Sequence, residues 1–145
     1  MGFLSMFRKS KNVSVIPLNG IIAANMGRRK GLNLSELDKN IEQAFSVKNL
    51  KAVALQINSP GGSPVQSEMI ANRIRELSDK NNVPVLAFVE DVAASGGYWL
   101  ACAADEIIAS KASIIGSIGV VSSGFGFNKA IEKIGIDRRL YTSGD

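Results

Sequence analysis

The chain contains no histidine, and this absence removes most of the familiar hydrolytic chemistry. Without an imidazole, the chain cannot by itself form a Ser-His-Asp triad, a Cys-His dyad or an HExxH zinc site. A serine nucleophile would need another group to accept its proton, and lysine is the usual alternative among the serine-based variants. Such a lysine must be neutral near pH 7, which burial in an apolar pocket achieves by disfavouring the ammonium form.

Cysteine is almost absent as well. The single residue, Cys102, excludes an internal disulfide framework and a CxxC metal site, and it fits a reducing compartment. Cys102 lies seven residues after Ser95, so on a helix it would sit two turns along the same face. We expect it to be a small buried apolar residue rather than a reactive thiol. The sequence predicts no metal site and no cofactor.

Long hydrophobic runs and strong charge of one sign are also missing. The chain has 17 basic and 13 acidic residues, a net charge of +4, and few aromatics, which disfavours nucleic-acid binding. The longest basic cluster, residues 28–30 (Arg-Arg-Lys), is interpreted as a solvated loop. No stretch approaches the roughly 20 apolar residues of a membrane-spanning helix, so no transmembrane segment is predicted. The 46% hydrophobic content allows one ordinary core.

Residues 1–12 are interpreted as a flexible N-terminus and residues 13–145 as a single domain. The first eleven residues are apolar and then basic, which places the charge on the wrong side for a secretory signal. Attachment of this segment to a membrane surface is the alternative interpretation.

Apolar runs alternate with segments of helical spacing along the chain. Strands are predicted at 13–18, 52–57, 83–89, 106–109, 112–121 and 136–141, and helices at 34–45, 64–77, 95–104 and 127–134. This repeated β-α-β pattern predicts an α/β fold with a mainly parallel sheet and flanking helices. Because the run at 52–57 is apolar nearly throughout, the sheet is expected to be covered on both faces.

Two glycine-rich turns each follow a strand and precede a helix, at residues 58–62 (Asn-Ser-Pro-Gly-Gly) and 93–98 (Ala-Ala-Ser-Gly-Gly-Tyr). Ligands of open α/β sheets gather at the carboxyl ends of the strands. Ser95 is therefore a candidate nucleophile, with the amides of Gly62 and Gly96 as candidate oxyanion donors. Each turn also has an ordinary interpretation, the first as a plain connection and Ser95 as a helix N-cap.

Four motifs together resemble the signal peptide peptidase A family of serine proteases, peptidase family S49. They are residues 58–62, 91–98 (Asp-Val-Ala-Ala-Ser-Gly-Gly-Tyr), 104–107 (Ala-Asp-Glu-Ile) and 115–120 (Ile-Gly-Ser-Ile-Gly-Val). The loop at residues 61–62 is also similar to that of the Clp protease catalytic subunits. The resemblance covers residues 13–145 and implies a Clp/crotonase-like fold, in a bacterial protein that is membrane-associated or cytoplasmic.

The resemblance implies an ATP-independent serine endopeptidase that degrades signal peptides in the membrane after their release. It implies that Ser95 is the nucleophile and that Gly62 and Gly96 form the oxyanion hole. It also implies a groove in which an extended peptide pairs with an exposed strand. The groove residues are Gly61, Ile115, Gly116, Ser117, Ile118, Gly119 and Val120. Family members assemble into rings or domes, so a homo-oligomer is expected.

The general base of the family is a lysine that shortly follows a Thr-Ser-Gly-like turn, and this sequence stops at residues 142–145 (Thr-Ser-Gly-Asp). The base is therefore expected beyond Asp145, in which case the domain is incomplete at its C-terminus and this chain alone is inactive. The internal candidates Lys111, Lys129 and Lys133 are expected to be solvated.

Two other functions remain open on the residues. A crotonase-like acyl-CoA enzyme would use the same two backbone donors to hold a thioester enolate, with a carboxylate as base. Asp91 is the only acid near Ser95. A non-catalytic scaffold that binds peptides is the second alternative.

Overall fold

The computed structural model describes residues 10–24, 31–121, 123–137 and 139–143. The elements are β1 (Asn12–Asn19), α1 (Leu34–Phe45), β2 (Leu50–Ser59), α2 (Pro64–Asn81), β3 (Val85–Ala94), α3 (Gly96–Ala101), β4 (Glu106–Ala109), β5 (Ile114–Gly116) and α4 (Asn128–Lys133). The predicted α/β class with a parallel sheet is confirmed, because the strand order is β1-β2-β3-β4, β5 also pairs with β3, and each pairing is parallel. The predicted N-terminal tail up to residue 9, the basic cluster at 28–30 and residues 144–145 lie outside the described residues.

Local signals fix where the first two helices begin. The Asn33 side chain accepts a hydrogen bond from the amide of Glu36 at 3.1 Å, which caps α1. Pro64 occupies the first turn of α2, where its missing N–H costs nothing, and Ser63 is the N-cap. Asn82 ends α2 in the left-handed conformation with φ +51.

The core lies between the helices and one face of the sheet. Ile16 and Leu18 of β1 and Leu55 and Ile57 of β2 are almost fully buried on this face. Helix α1 packs against α2, and α2 packs against α3. Successive right-handed crossovers that advance in one direction place their helices on the same side of a sheet.

The opposite face of the sheet is open in the described part of the chain. The large apolar side chains of this face, Val13, Val15, Phe88 and Ile108, are 41–59% exposed. The expectation that the sheet is covered on both faces is therefore not met within the described residues. On the open face, β2 presents Ala52 and Ala54, which pair with Val13 and Val15 of β1. Because alanine is apolar, the sequence of β2 appears uniformly apolar although one face of the strand is open.

A bulge lengthens β3 where it passes the end of β2. Ile57 pairs with Val89, but Ser59 pairs with Ala93, so β3 has two more residues than β2 over this interval. Asn58 donates a hydrogen bond to Asp91 across the bulge at 2.9 Å. Strand β3 consequently continues to Ala94, past its predicted end at residue 89, and carries the residue that follows it to the level of the 58–62 turn.

Beyond β3, some elements are shorter than predicted. Helix α3 ends at Ala101 rather than at residue 104, and of the strand predicted at 112–121 only β5 forms. Ser117 at φ +54 and Gly119 at φ +152 interrupt an extended backbone there. The described residues of the predicted strand at 136–141 form none, whereas α4 falls within the predicted helix at 127–134.

Asp105 links β3 to the loop before β4, and its carboxylate makes the stability of the fold depend on pH in the acid range. Its carboxylate accepts a hydrogen bond from the amide of Val85 at 2.8 Å and one from Arg75 at 3.0 Å. These bonds, that of Val85 foremost, hold the pKa of Asp105 below its usual value against the opposing effect of burial. The carboxylate of Asp105 thus binds a proton more tightly in the unfolded state than in the folded state. Its contribution to the free energy of unfolding is therefore complete above the unfolded pKa of about 3.9 and is lost as pH falls below that value.

We therefore expect the free energy of unfolding to fall between about pH 4 and pH 2, and Asp105→Asn to flatten part of this fall. Urea denaturation of both proteins across this interval measures the difference. Parallel loss of stability in parent and variant would contradict a contribution from this carboxylate.

Candidate active site

The two glycine-rich turns are in direct contact at the carboxyl ends of β2 and β3. A Cβ on Gly61 would lie 2.7 Å from the amide nitrogen of Gly96 and 2.9 Å from the Cβ of Ser95. A Cβ on Gly96 would lie 3.4 Å from the amide nitrogen of Gly62. The two backbones approach each other more closely than any residue with a side chain would allow.

The segment that follows β1 is hydrogen-bonded to the residues on either side of Gly62. The amide of Ile22 donates to the carbonyl of Gly61 at 2.9 Å, and the carbonyl of Ile22 accepts from the amide of Ser63 at 2.7 Å. A Cβ on Gly62 would lie only 1.9 Å from the carbonyl oxygen of Ile22. Gly62 itself is exposed at φ +148, and no acceptor in the described part of the chain bonds its amide.

Ser95 stands on the sharp bend between β3 and α3. Its backbone has φ +51 and ψ −119, a conformation that residues with a side chain rarely adopt. Its amide donates to the carbonyl of Gly116 at 2.8 Å, and its carbonyl accepts from the amide of Trp99. Ser95 occupies the N-cap position of α3, but its side chain makes no capping hydrogen bond. The ordinary interpretation of Ser95 as a capping residue is therefore not supported, and its half-buried hydroxyl remains available.

Gly96 begins α3, and the first amides of a helix have no partner within the helix. Among the described residues no acceptor bonds the Gly96 amide. Ser95 is therefore accompanied by two backbone donors, those of Gly62 and Gly96, that have no acceptor among the residues that the structure describes. Donors arranged in this way can stabilise negative charge that develops on a carbonyl oxygen next to the serine.

A cavity of about 440 Å³ adjoins Ser95, and its walls are predominantly apolar. Its lining residues are Gly62, Pro64, Ser95, Gly96, Tyr98, Trp99, Cys102, Ile118, Gly119 and Val120. Apolar walls with a few convergent polar groups are typical of a site that binds a ligand of comparable size.

The structure brings together some of the sequence-predicted residues and separates others. Ser95, Gly62 and Gly96 line the cavity together with three of the predicted groove residues, Ile118, Gly119 and Val120. The other four predicted groove residues do not line the cavity. Gly61 is buried in the turn, and Ile115 and Gly116 pair with β3. Ser117 comes directly before Ile118, the first lining residue of this segment. Their contact with a peptide remains a prediction.

Sequence reasoning missed Pro64, Tyr98 and Trp99 as lining residues, and it placed Cys102 wrongly. Cys102 is exposed and lines the cavity, directly after the last residue of α3. Its seven-residue spacing from Ser95 was the signal that could have found it. The neighbouring side chain of Cys102 raises the pKa of Tyr98 above its usual value.

No lysine or carboxylate lines the cavity within the described part of the chain. Lys111, Lys129 and Lys133 are exposed, as expected. Asp91 is bonded to Asn58 and lies outside the lining. The residues described by the structure also contain no cluster of cysteine and carboxylate side chains that could hold a metal ion.

The sequence of this chain is similar to that of a known protein family. The model of peptidase family S49 matches residues 78–145, a range that includes Ser95, Gly96 and the 118–120 wall of the cavity. Among curated proteins, the chain is 38% identical over 109 residues to the chloroplastic serine protease SPPA of Arabidopsis thaliana. That match covers 75% of this chain and 16% of the plant protein.

A higher identity, 51% over 133 residues, is shared with a protein of Brucella melitensis named Na(+)/H(+) antiporter NhaA. The match covers 91% of this chain but 18% of the Brucella protein, so the name describes a much longer molecule. The chain thus spans less than a fifth of the length of both relatives. Within the described residues, none of the helices is long and apolar enough to cross a membrane.

Among solved structures, the chain is similar to a point mutant of 1510-N, a membrane-bound stomatin-specific protease. The TM-score is 0.56 at 20% identity, and the match covers 86% of this chain and 60% of that one. At this identity the likeness concerns the fold alone. The Clp/crotonase-like α/β fold implied by the sequence resemblance is confirmed.

Proposed function

The chain belongs to peptidase family S49, and on that premise we propose that it acts as a serine endopeptidase with Ser95 as its nucleophile. One observation carries the proposal. Ser95 is held in a left-handed conformation at a strand-to-helix bend, beside two backbone amides that have no acceptor in the described structure. This strained bend resembles the arrangement that exposes a nucleophilic serine in other hydrolase folds.

The proposed reaction proceeds in two stages. The Oγ of Ser95 attacks the carbonyl carbon of the scissile peptide bond, and a neutral lysine amine takes the hydroxyl proton. The amides of Gly62 and Gly96 donate to the resulting oxyanion, and each such donor contributes about a hundredfold to a thousandfold in rate. The C–N bond then breaks, the leaving amine takes the proton from the lysine, and water hydrolyses the acyl ester on Ser95.

We place the lysine of this Ser-Lys dyad outside the residues that line the cavity here, beyond Asp145 or on another subunit. The exposure of Lys111, Lys129 and Lys133 supports this assignment. A solvated lysine stays charged near neutral pH and cannot accept the serine proton, whereas an apolar wall such as that beside Ser95 lowers the pKa of an amine placed against it.

The proposed substrates are extended apolar peptides, with cleaved signal peptides in the membrane as the specific class. The predominantly apolar walls of the cavity support this choice. We also propose that the protein forms a homo-oligomer. The apolar side chains exposed on the open face of the sheet, such as Val15 and Phe88, support an assembly that would bury them.

Covalent labelling tests the proposal. A fluorophosphonate should label Ser95 in the full-length gene product, and Ser95→Ala should abolish the label and the hydrolysis of a fluorogenic apolar peptide. Labelling that persists in Ser95→Ala would refute the assignment of the nucleophile. Tight binding of coenzyme A without labelling would favour a crotonase-like enzyme, and peptide binding without hydrolysis would favour a scaffold.

A further inference from the structure

Ser59 is a fully buried serine at the end of β2, directly behind the 58–62 turn. Its hydroxyl donates to the carbonyl of Gly20 at 2.6 Å and accepts from the amide of Gly61 at 3.1 Å. A buried hydroxyl costs free energy unless it is hydrogen-bonded, and both functions of this hydroxyl are used. Ser59 thereby connects the end of β1 with the first glycine of the turn.

The same residue touches the helix that follows Ser95. A Cβ on Gly97 would lie 2.4 Å from the carbonyl oxygen of Ser59 and 3.2 Å from its Cβ. Three segments therefore meet at Ser59, namely the residues after β1, the 58–62 turn and the start of α3. Ser59 is placed to influence the position of the turn relative to the bend at Ser95.

The two peptide groups that flank Gly61 are fixed from opposite sides. The N–H of Gly61 is held by Ser59, and its C=O is held by the amide of Ile22. In a planar trans peptide the C=O and the following N–H point in opposite directions. Because the carbonyl of Gly61 is turned towards Ile22, the N–H of Gly62 is turned away from Ile22.

Gly61, with φ +95, is followed by a second glycine, and this pair has little conformational preference of its own. Contacts with other segments must therefore hold such a pair in one orientation. We infer that Ser59 is a positioning residue: it fixes the Pro60–Gly61 peptide, and because the next peptide follows from it through Gly61, Ser59 acts together with Ile22 to set the direction of the Gly62 amide. This inference rests on the proposed function, in which that amide binds the oxyanion.

Ser59→Ala tests the inference by steady-state kinetics in the full-length protein with a fluorogenic apolar peptide. We expect kcat to fall about tenfold to a hundredfold, less than the loss of a whole donor, because the Gly62 amide is misdirected rather than removed. KM should stay within about twofold, because the cavity wall is untouched. The affinity for a peptide aldehyde, whose hemiacetal oxyanion uses the same donors, should fall in proportion to kcat.

Ser78→Ala is the matched control. Ser78 is also buried, and its hydroxyl donates to the carbonyl of Val83 at 2.7 Å near the end of α2, away from the cavity. The control loses a comparable hydrogen bond, so its stability should fall while kcat is unchanged. Equal kcat in parent and Ser59→Ala, or equal kinetic losses in the two variants, would overturn the inference.

Amide hydrogen exchange gives a readout that does not require activity. In Ser59→Ala the amide of Gly61 should exchange at least about tenfold faster, and in Ser78→Ala it should not. If Ser95 proves not to be a nucleophile, this measurement still decides whether Ser59 fixes the turn, and an unchanged exchange rate rejects that role. If Ser59→Ala does not fold, Ser59→Cys replaces the hydroxyl by a weaker donor and acceptor, and the same comparisons apply to it.

Discussion

Replacement of Gly62 by alanine is expected to abolish detectable peptide hydrolysis and to lower the free energy of unfolding by about 3 kcal/mol or more. The added methyl group would lie 1.9 Å from the carbonyl oxygen of Ile22, and that oxygen is fixed by its bond to the amide of Ser63. In addition, φ +148 is a conformation that essentially only glycine adopts. The turn must therefore move, and the proposed oxyanion donor moves with it.

Gly135→Ala is the matched control for this variant. Gly135 also has a positive φ, +69, but a Cβ there would meet no atom within 4 Å. We expect it to cost about 1–2 kcal/mol and to leave hydrolysis unchanged, which separates backbone strain from steric collision. Urea denaturation and kcat/KM should be measured for both variants. Hydrolysis by a folded Gly62→Ala variant at more than about a tenth of the parental rate would exclude the Gly62 amide as an oxyanion donor.

The sequence was sufficient to place both turns of the site because their determinants are local. An apolar run followed by glycines and then a helical pattern predicts a strand-to-helix turn, and the parallel alternation predicts that successive turns lie at one edge of the sheet. Ser95 and Gly62 were therefore identified before their contact could be known. The cap at Asn33 and the helix start at Pro64 are equally local, and the structure has both.

The features that sequence reasoning missed depend on contacts between distant segments. The polar pair at residues 90–91 concealed the continuation of β3, because nothing local distinguishes a bulge from the end of a strand. The support of Gly62 by Ile22 crosses about forty residues and leaves no periodic signal in the sequence. The open face of the sheet could not be predicted from β2, because alanines such as Ala52 and Ala54 occur on both covered and open faces. Register and coverage are set by tertiary packing, which overrides single-residue preference.

The site also explains why the two turns demand glycine for different reasons. At Gly62 the obstacle is the backbone of Ile22, whereas at Gly97 it is the carbonyl of Ser59, 2.4 Å from a Cβ. The absence of a side chain at Gly62 lets the segment around Ile22 pack against the 58–62 turn. The absence of a side chain at Gly97 lets the same turn pack against α3. Each close approach fixes one side of the bend that carries Ser95, so the strained conformation of that residue is maintained by the packing around it.

Chemical modification of Cys102 is expected to inhibit the proposed peptide hydrolysis in proportion to the size of the group attached. Cys102 is the only cysteine of the chain, it is exposed, and it lines the same cavity as Ser95. A bulky maleimide would occupy much of the 440 Å³ and displace a bound peptide from Ser95, so kcat/KM should fall about a hundredfold. A methylthio group is small and should change kcat/KM only a fewfold, because most of the cavity remains open.

Cys102→Ala separates this effect from modification elsewhere, since the variant should hydrolyse the peptide normally and resist both reagents. Mass spectrometry should follow the extent of modification, and kcat/KM should be measured at each stage. Complete modification by the bulky reagent with unchanged kcat/KM would show that peptides reach Ser95 without entering this cavity. Graded inhibition that is absent in Cys102→Ala would instead place the substrate against the wall formed by Trp99, Cys102 and Val120.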